Sequence, residues 1–545
     1  MHIIIPMSGT GNRFIIGGYN TPKPLIKIDG KAMIEHVVNL FPKETKFTFI
    51  CNSQHLQNTD MKEILTQVTK DPQIVEIDAH KLGPVYAVSK VFEMIDDNEE
   101  VIVNYCDFGT YWDYQDFLNH TRHRNADGAV VSYKGFHPHM LGSTNYAFMR
   151  DQHQWMLEIK EKESFTNDRM QEYASNGTYY FKNGSLVKKY FQKLIDLNLN
   201  LNGEFYVSLV YNLLIQDKLN VSIYEIQHML QWGTPEDVKD YNHWSKYFKD
   251  AVSNPNNSHK IRGTCIVPLA GLGQRFIDYG YKTPKPLLDI NSKPMIIQAT
   301  NSLPKTDSNV FVCLKDHTSS YPIEKILTDT YPKSKIYQLD KPSQGQAISC
   351  FEGLTHINFD EPLIVGATDN AIVYDYKQLD HLINDTSVDA IIWTFKNHPT
   401  VNKNPQMYGW VETTDDLATN ISVKKAISDQ PSSDHAITGI FYFKKAQYYK
   451  DGLELLLHKN NKVNNEYYID SLMNELIHLG LNVKVFEVQH YVCWGTPEDY
   501  ETYKYWQSYF HKCLDHAYTL ELDANVDQKV APIMAQQFFD FHQTY

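Results

Sequence analysis

One spacing governs the chain: residues 262 positions apart match in kind along most of its length. Gly9 corresponds to Gly271, Lys23 to Lys285, Asp107 to Asp369, Glu204 to Glu466 and Trp232 to Trp494. Around these anchors whole segments recur. Thr21-Pro-Lys-Pro-Leu25 returns as Thr283-Pro-Lys-Pro-Leu287, and Trp232-Gly-Thr-Pro-Glu-Asp237 as Trp494-Gly-Thr-Pro-Glu-Asp499. The period is far longer than a solenoid repeat, so each copy is large enough to be a domain. The expected organisation is a first domain over 1–249, a linker over 250–261, a second domain over 262–515, and a tail over 516–545. The linker is read from the polar, turn-rich run Asp250 to His259. The tail has no counterpart in the first copy, and no role is assigned to it.

Within each copy strand-like and helical segments alternate. Ile3–Ile5, Lys46–Cys51 and Val101–Asn104 read as strands, with helices through Met33–Val38 and Met61–Val68 between them. Thr264–Val267, Val310–Leu314 and Leu363–Val365 repeat the strands. Such alternation implies an α/β fold: two tandem domains, each with a mainly parallel sheet covered by helices on both faces. Ligands in such sheets bind at the carboxyl ends of strands.

Composition narrows the class. A hydrophobic share of 42% with 21% charged residues suits a soluble globular protein. A formal net charge of -14 argues against nucleic-acid binding, since it repels a phosphate backbone, but leaves room for small anions at local basic loops. Seven dispersed cysteines without a C-x-x-C pair read as reduced thiols in a cytoplasm. No apolar run approaches the roughly 20 residues of a membrane span.

The motifs lie where strands end. The first loop, Pro6-Met-Ser-Gly-Thr-Gly-Asn-Arg-Phe14, has its twin in Pro268-Leu-Ala-Gly-Leu-Gly-Gln-Arg-Phe276. Gly9, Gly11, Gly271 and Gly273 allow positive φ and close backbone approach to a polyphosphate, and Arg13 and Arg275 add bidentate charge. By itself this is as well explained by a tight turn, and it lacks the third glycine of a dinucleotide fingerprint. Lys23 and Lys285, each held between two prolines, supply a second cation beside each loop. Asp107 and Asp369 follow buried apolar strands and suit Mg²⁺ held against phosphate oxygens, although a helix or turn cap would also explain an Asp there.

Taken in order, the glycine loop with its arginine, the Pro-Lys-Pro-Leu, the Asp after the central strand, Glu161-Lys162 and the late Trp-Gly-Thr-Pro-Glu-Asp resemble the sugar-phosphate nucleotidyltransferase family. The resemblance implies a Rossmann-like (GT-A-like) fold with a mixed, mainly parallel central sheet in each copy, and transfer of NMP from an NTP to a phosphorylated sugar or related small acceptor, releasing pyrophosphate. Many members make precursors of surface polysaccharides such as capsules. It further implies that Arg13, Lys23, Arg275 and Lys285 act on the phosphates and that Asp107 and Asp369 hold Mg²⁺. Gly83 and Gly345 would approach the nucleobase. Lys162, Glu204, Lys424 and Glu466 would bind the acceptor, although Lys425 competes with Lys424 because the local alignment does not choose between them.

This sequence also departs from that pattern. Where the family commonly carries a second metal-binding acid, the chain has Gln231 and Cys493. Glu161 becomes Val423 in the second copy, whereas the late Asp470 is Ser208 in the first. These losses keep a second reading open, a nucleotide-sugar-binding module in which one or both copies only bind. A glycosyltransferase on the related fold is a third reading, but Asp107-Phe-Gly109 and Asp369-Asn-Ala371 lack its D-x-D acid. His137-Pro-His139 is read as a loop rather than a metal pair, and Thr178-Tyr-Tyr-Phe181 as a core strand.

Overall fold

The computed structural model describes residues 1–143, 145–253, 259–355 and 357–540. The chain divides into two compact units. The first comprises Met1–Lys246, Ser508–Asp515 and a segment from Gln537 onward; the second comprises Tyr247–Gln507 and His516–Gln536. The last helix of the first copy, Pro235–Ser253, therefore begins in one unit and ends in the other, and so does Pro497–Lys512. Pro235–Ser253 also runs into the stretch read as a linker, of which 254–258 lies outside the described residues.

The first unit is built on a nine-stranded sheet. From one edge its strands run Gln73–Ile77, Lys46–Asn52, His2–Met7, Val101–Asn104, Tyr173–Phe181, Gly128–Tyr133, Val221–Glu225, Trp155–Glu161 and Ala147–Gln152. The first four pair in parallel. Tyr173–Phe181 enters antiparallel, and in the far half only Gly128–Tyr133 with Val221–Glu225 is parallel. The sheet is thus mixed, with its parallel part holding the strand that leads into the glycine loop. Side chains of His2–Met7 alternate between faces as a strand requires: Ile3 and Ile5 join one core cluster and Ile4 the other. Both faces are covered, so the strand is apolar throughout. Tyr173–Phe181, which contains the aromatic run read as core, is buried at all nine positions.

The second unit repeats this order from Lys335–Leu339 through Thr264–Leu269 and Leu363–Val365 to Gly409–Thr414. Cys265 and Val267 face one core cluster and Ile266 the other. Part of the tail belongs to this unit. Tyr518 and Leu520 are fully buried, and the Asn525 carbonyl accepts from Lys293 and Gln298. Among the described residues no helix is long and apolar enough to cross a membrane.

Candidate active site

Each glycine loop leaves an inner parallel strand of its sheet, His2–Met7 or Thr264–Leu269, and turns into a short helix. Gly11 (φ 67°) and Gly273 (φ 66°) take the left-handed conformation that sets this turn. Gly9 and Gly271 border open space, with nothing within 4 Å of a notional Cβ. Arg13 and Arg275 are exposed and make no ion pair among the described residues, which leaves both guanidinium forks available to an anion.

Lys23 and Lys285 sit in single 3₁₀ turns whose starts are fixed by Pro22 and Pro284. Each ammonium lies near a phenylalanine of its own glycine loop, Lys23 5.7 Å from the Phe14 ring centroid and Lys285 5.5 Å from that of Phe276. Each also reaches across to the aspartate at the end of the adjacent strand. Lys23 Nζ donates to Asp107 Oδ2 at 2.5 Å, and Lys285 Nζ donates to Asp369 Oδ2 at 2.5 Å. The aspartates are in turn held by the late motif, with the Trp232 and Trp494 amides donating to the Asp107 and Asp369 carbonyls at 3.0 and 2.7 Å. Two segments 84 residues apart thus meet at one point in each unit.

In the first unit Arg13, Asp107, Glu161, Lys162, Tyr179 and Tyr206 line one cavity of about 160 Å³. Lys162 takes a left-handed turn (φ 58°) and donates its amide to Tyr146 O. Lys424 has φ 60° and donates its amide to the matching Tyr408 O, so it, not Lys425, is the counterpart of Lys162. Both ammonium groups stand over a tyrosine ring, Lys162 at 4.5 Å from the Tyr206 centroid and Lys424 at 5.7 Å from that of Tyr468. Glu204 reaches the cavity indirectly: Tyr206 OH donates to it at 2.5 Å, and Lys162 Nζ donates to Tyr206 OH. In the second unit Lys424 Nζ donates instead to Met407 O at 2.5 Å, and burial together with Glu466 raises the Tyr468 hydroxyl pKa. These tyrosines were not singled out in the sequence, although both stand two residues after the marked glutamates.

Gly83 and Gly345 do not line this cavity. Both have positive φ, and a Cβ on either would lie within 3 Å of the Phe205 or Tyr467 backbone. Their missing side chain lets each loop dock onto the segment that carries Glu204 or Glu466. This docking is closed by Val85 N to Phe205 O at 3.1 Å and Ala347 N to Tyr467 O at 3.1 Å.

Burial pushes the Glu161 carboxyl up to about 7, against the pull of the Ser208 hydrogen bond and the Lys162 charge. Burial likewise pushes Asp470 up to about 6, with Lys424 opposing it. Lys424 is itself held below its ordinary value by burial. An acid raised in the folded state stabilises the fold fully below its unfolded value, and that stability is lost as pH rises through the folded value. For Glu161 the window runs from about 4.5 to about 7. Over it, the urea midpoint of the native chain is expected to fall relative to Glu161→Gln, and the difference to be constant above. A difference that stays flat from pH 4 to 8 would show that Glu161 does not titrate this way.

Among the described residues no group of three or more His, Cys, Asp and Glu is placed to hold a metal ion. Gln231 donates to Asp237 Oδ2 at 2.6 Å, and Asp237 caps its helix by accepting from Thr234 N while Thr234 Oγ1 accepts from Asp237 N. Cys493 is a neutral thiol, because burial holds its pKa well above the ordinary value. Neither position supplies an anionic oxygen. Mg²⁺ characteristically takes one or two protein carboxylates and completes its shell with substrate phosphates and water. Asp107 and Asp369, each about one-third exposed beside its glycine loop, fit the single-carboxylate form of such a site. His137 and His139 pack against the Tyr133 ring, and His139 Nε2 bonds with Tyr133 OH at 2.9 Å.

Residues 3–169 match the model of the MobA-like NTP transferase domain, and residues 265–482 that of the Nucleotidyl transferase. Among solved structures, a nucleoside-diphosphate-sugar pyrophosphorylase from Vibrio cholerae RC9 is 22% identical over 44% of this chain and 99% of its own, with a TM-score of 0.38. An inositol-1-phosphate CTP transferase from T. maritima is 16% identical over 46% of this chain and 96% of its own, with a TM-score of 0.37. A UDP-glucose pyrophosphorylase from Acinetobacter baumanii is 15% identical over 46% and 93%, with a TM-score of 0.35. No match is found among curated proteins.

Proposed function

The chain belongs to the nucleotidyltransferases, with one family domain in each half, and on that premise we propose that both units transfer NMP from an NTP to a small phosphorylated acceptor. The acceptor is a sugar phosphate or a related molecule, pyrophosphate is released, and the product is an activated precursor of the kind surface polysaccharides require. The observation that carries this reading is the meeting of Lys23 with Asp107, and of Lys285 with Asp369, beside an arginine without an ion pair. All seven cysteines are free, which supports action in a reducing compartment such as the cytoplasm.

The reaction needs no covalent protein intermediate. An acceptor phosphate oxygen attacks the α-phosphorus in line, and the bond to the β-phosphate bridging oxygen breaks. Arg13 and Lys23 in the first unit, and Arg275 and Lys285 in the second, offset negative charge on the equatorial and leaving oxygens. Lys162 and Lys424 hold the acceptor phosphate. Gly9, Gly11, Gly271 and Gly273 keep the loop bare enough for the triphosphate, while Gly83 and Gly345 fix the loop that borders the base. Asp107 and Asp369 would hold Mg²⁺, which supplies charge neutralisation across the phosphates when bound.

The test is pyrophosphate release from the full chain with each NTP, Mg²⁺ and a panel of sugar 1-phosphates. Release with at least one pairing is expected. Silence across a broad panel would favour the binding-module reading, which the replacement of an acid by Gln231 and Cys493 already supports.

A further inference from the structure

Lys162 and Lys424 each share their surroundings with one half-buried carboxyl, yet it comes from a strand in one unit and from a helix in the other. In the first unit it is Glu161, at the end of the strand Trp155–Glu161, and Ser208 Oγ from the helix Val207–Gln216 donates to it at 2.5 Å. In the second unit the strand position is Val423, and the helix position matching Ser208 is Asp470. A third position completes the exchange. Ala147 of the first unit becomes Gly409, where a Cβ would lie 2.5 Å from Asp470 Oδ2. The helix carboxylate thus occupies the space a methyl group would need.

A copy drifting without use would lose this carboxyl cheaply, because burying an acid costs free energy that an apolar residue would not. The second unit instead keeps one acid beside the lysine. Asp470 contributes the largest charge effect on Lys424, ahead of Arg275, Glu466 and Asp369. The surroundings change with it. Tyr105, Ser175, Asn176 and Tyr179 line the first cavity, and their counterparts are Ala367, Ile437, Thr438 and Phe441. The correspondence is spatial: Gly177 approaches Tyr105 as Gly439 approaches Ala367.

Resting on the nucleotidyltransferase reading above, we propose that this carboxyl selects the acceptor in both units, and that its move from strand to helix fits the two sites to different phosphorylated acceptors. The first, with hydroxyls and an amide around Glu161, takes a fully hydroxylated sugar or alditol phosphate. The second, where Ala367, Ile437 and Phe441 replace three of those polar groups and Thr438 keeps one hydroxyl, takes an acceptor in which hydrogen or methyl replaces a hydroxyl, such as a deoxy-sugar phosphate.

The test grafts one arrangement onto the other. Acceptor binding is measured by calorimetry on the full chain with glucose 1-phosphate, ribitol 5-phosphate and 6-deoxyglucose 1-phosphate. KM and kcat for pyrophosphate release are measured in the Asp369→Ala background, so that only the first unit reports. Glu161→Val and the volume-keeping Glu161→Gln are expected to raise KM for the hydroxylated acceptors about a hundredfold, with NTP affinity unchanged. The triple change Ala147→Gly, Glu161→Val, Ser208→Asp is expected to give the first unit a preference for the deoxy acceptor. Unchanged acceptor ratios in the single and grafted chains overturn the proposal, as does failure of the native chain to bind any of the three. Acceptor binding without pyrophosphate release would instead sink the transferase reading and leave this inference standing.

Discussion

Asp107→Ala is expected to abolish pyrophosphate release at the first unit and leave the second running, and Asp369→Ala to do the reverse. Asp107 and Asp369 are the acids that pair with Lys23 and Lys285, whereas Asp237 and Asp499 of the late motif are engaged in capping their own helices and Gln231 and Cys493 are neutral. Without that carboxylate the lysine loses the group that orients it, and among the described residues no cluster of acids stands in as a metal site. Losing one preorganised charge contact of this kind costs about 10²–10³ in turnover. Structural damage should be small, since Asp107 and Asp369 are each about one-third exposed and end their strands rather than pack inside them. Steady-state rates with acceptors specific to each unit, beside thermal melts, make the comparison. If either single change leaves all turnover intact, that unit is not catalytic.

The second large effect is at Gly345. Its φ of 118° is hardly open to an L-residue, and a Cβ would lie 2.5 Å from Tyr467 O and 2.6 Å from Tyr467 N. These are backbone atoms of the segment bearing Glu466 and Tyr468, and they cannot swing aside as a side-chain tip would. Gly345→Ala is expected to cost the second unit about 3 kcal/mol, the upper part of the usual range for point changes. It should also weaken NTP binding there, because the base-side loop loses its dock. Gly83→Ala, with contacts of 2.7 Å to Phe205 N and O, should do the same to the first unit. Denaturant unfolding and nucleotide titration read the two consequences separately. Native-like stability of Gly345→Ala would mean that the loop does not close on Tyr467.

The fold was legible because its signals are local and repeated. Helix bounds at Met61–Val68 and strand bounds at Val101–Asn104 follow from apolar spacing and turn residues alone. The Lys23–Asp107 meeting was implied by motif order, since both motifs end at the same edge of a parallel sheet. What the sequence could not convey was exchange across a cavity. Glu161 to Val423, and Ser208 to Asp470, read along the chain as two separate losses. Once Ser208 Oγ is found on Glu161 across 47 residues, they become one relocation. Position alone likewise does not show that Gly83 and Gly345 dock against the protein's own backbone. Lys424 could not be told from Lys425 until backbone conformation distinguished them.

The helix Pro235–Ser253 hands its last turns to the second unit, and Pro497–Lys512 hands its own to the first. Within the first unit the returning segment is no ornament. Lys512 hydrogen-bonds with Gln227 and stands 5.1 Å from the Tyr111 ring centroid, and burial lowers its pKa to about 7. A duplication usually leaves two modules that recombination can later shuffle, lose or fuse elsewhere. Here neither unit is one continuous stretch of the chain. Substitutions in the last turns of either helix therefore bear on the unit built mainly from the opposite copy.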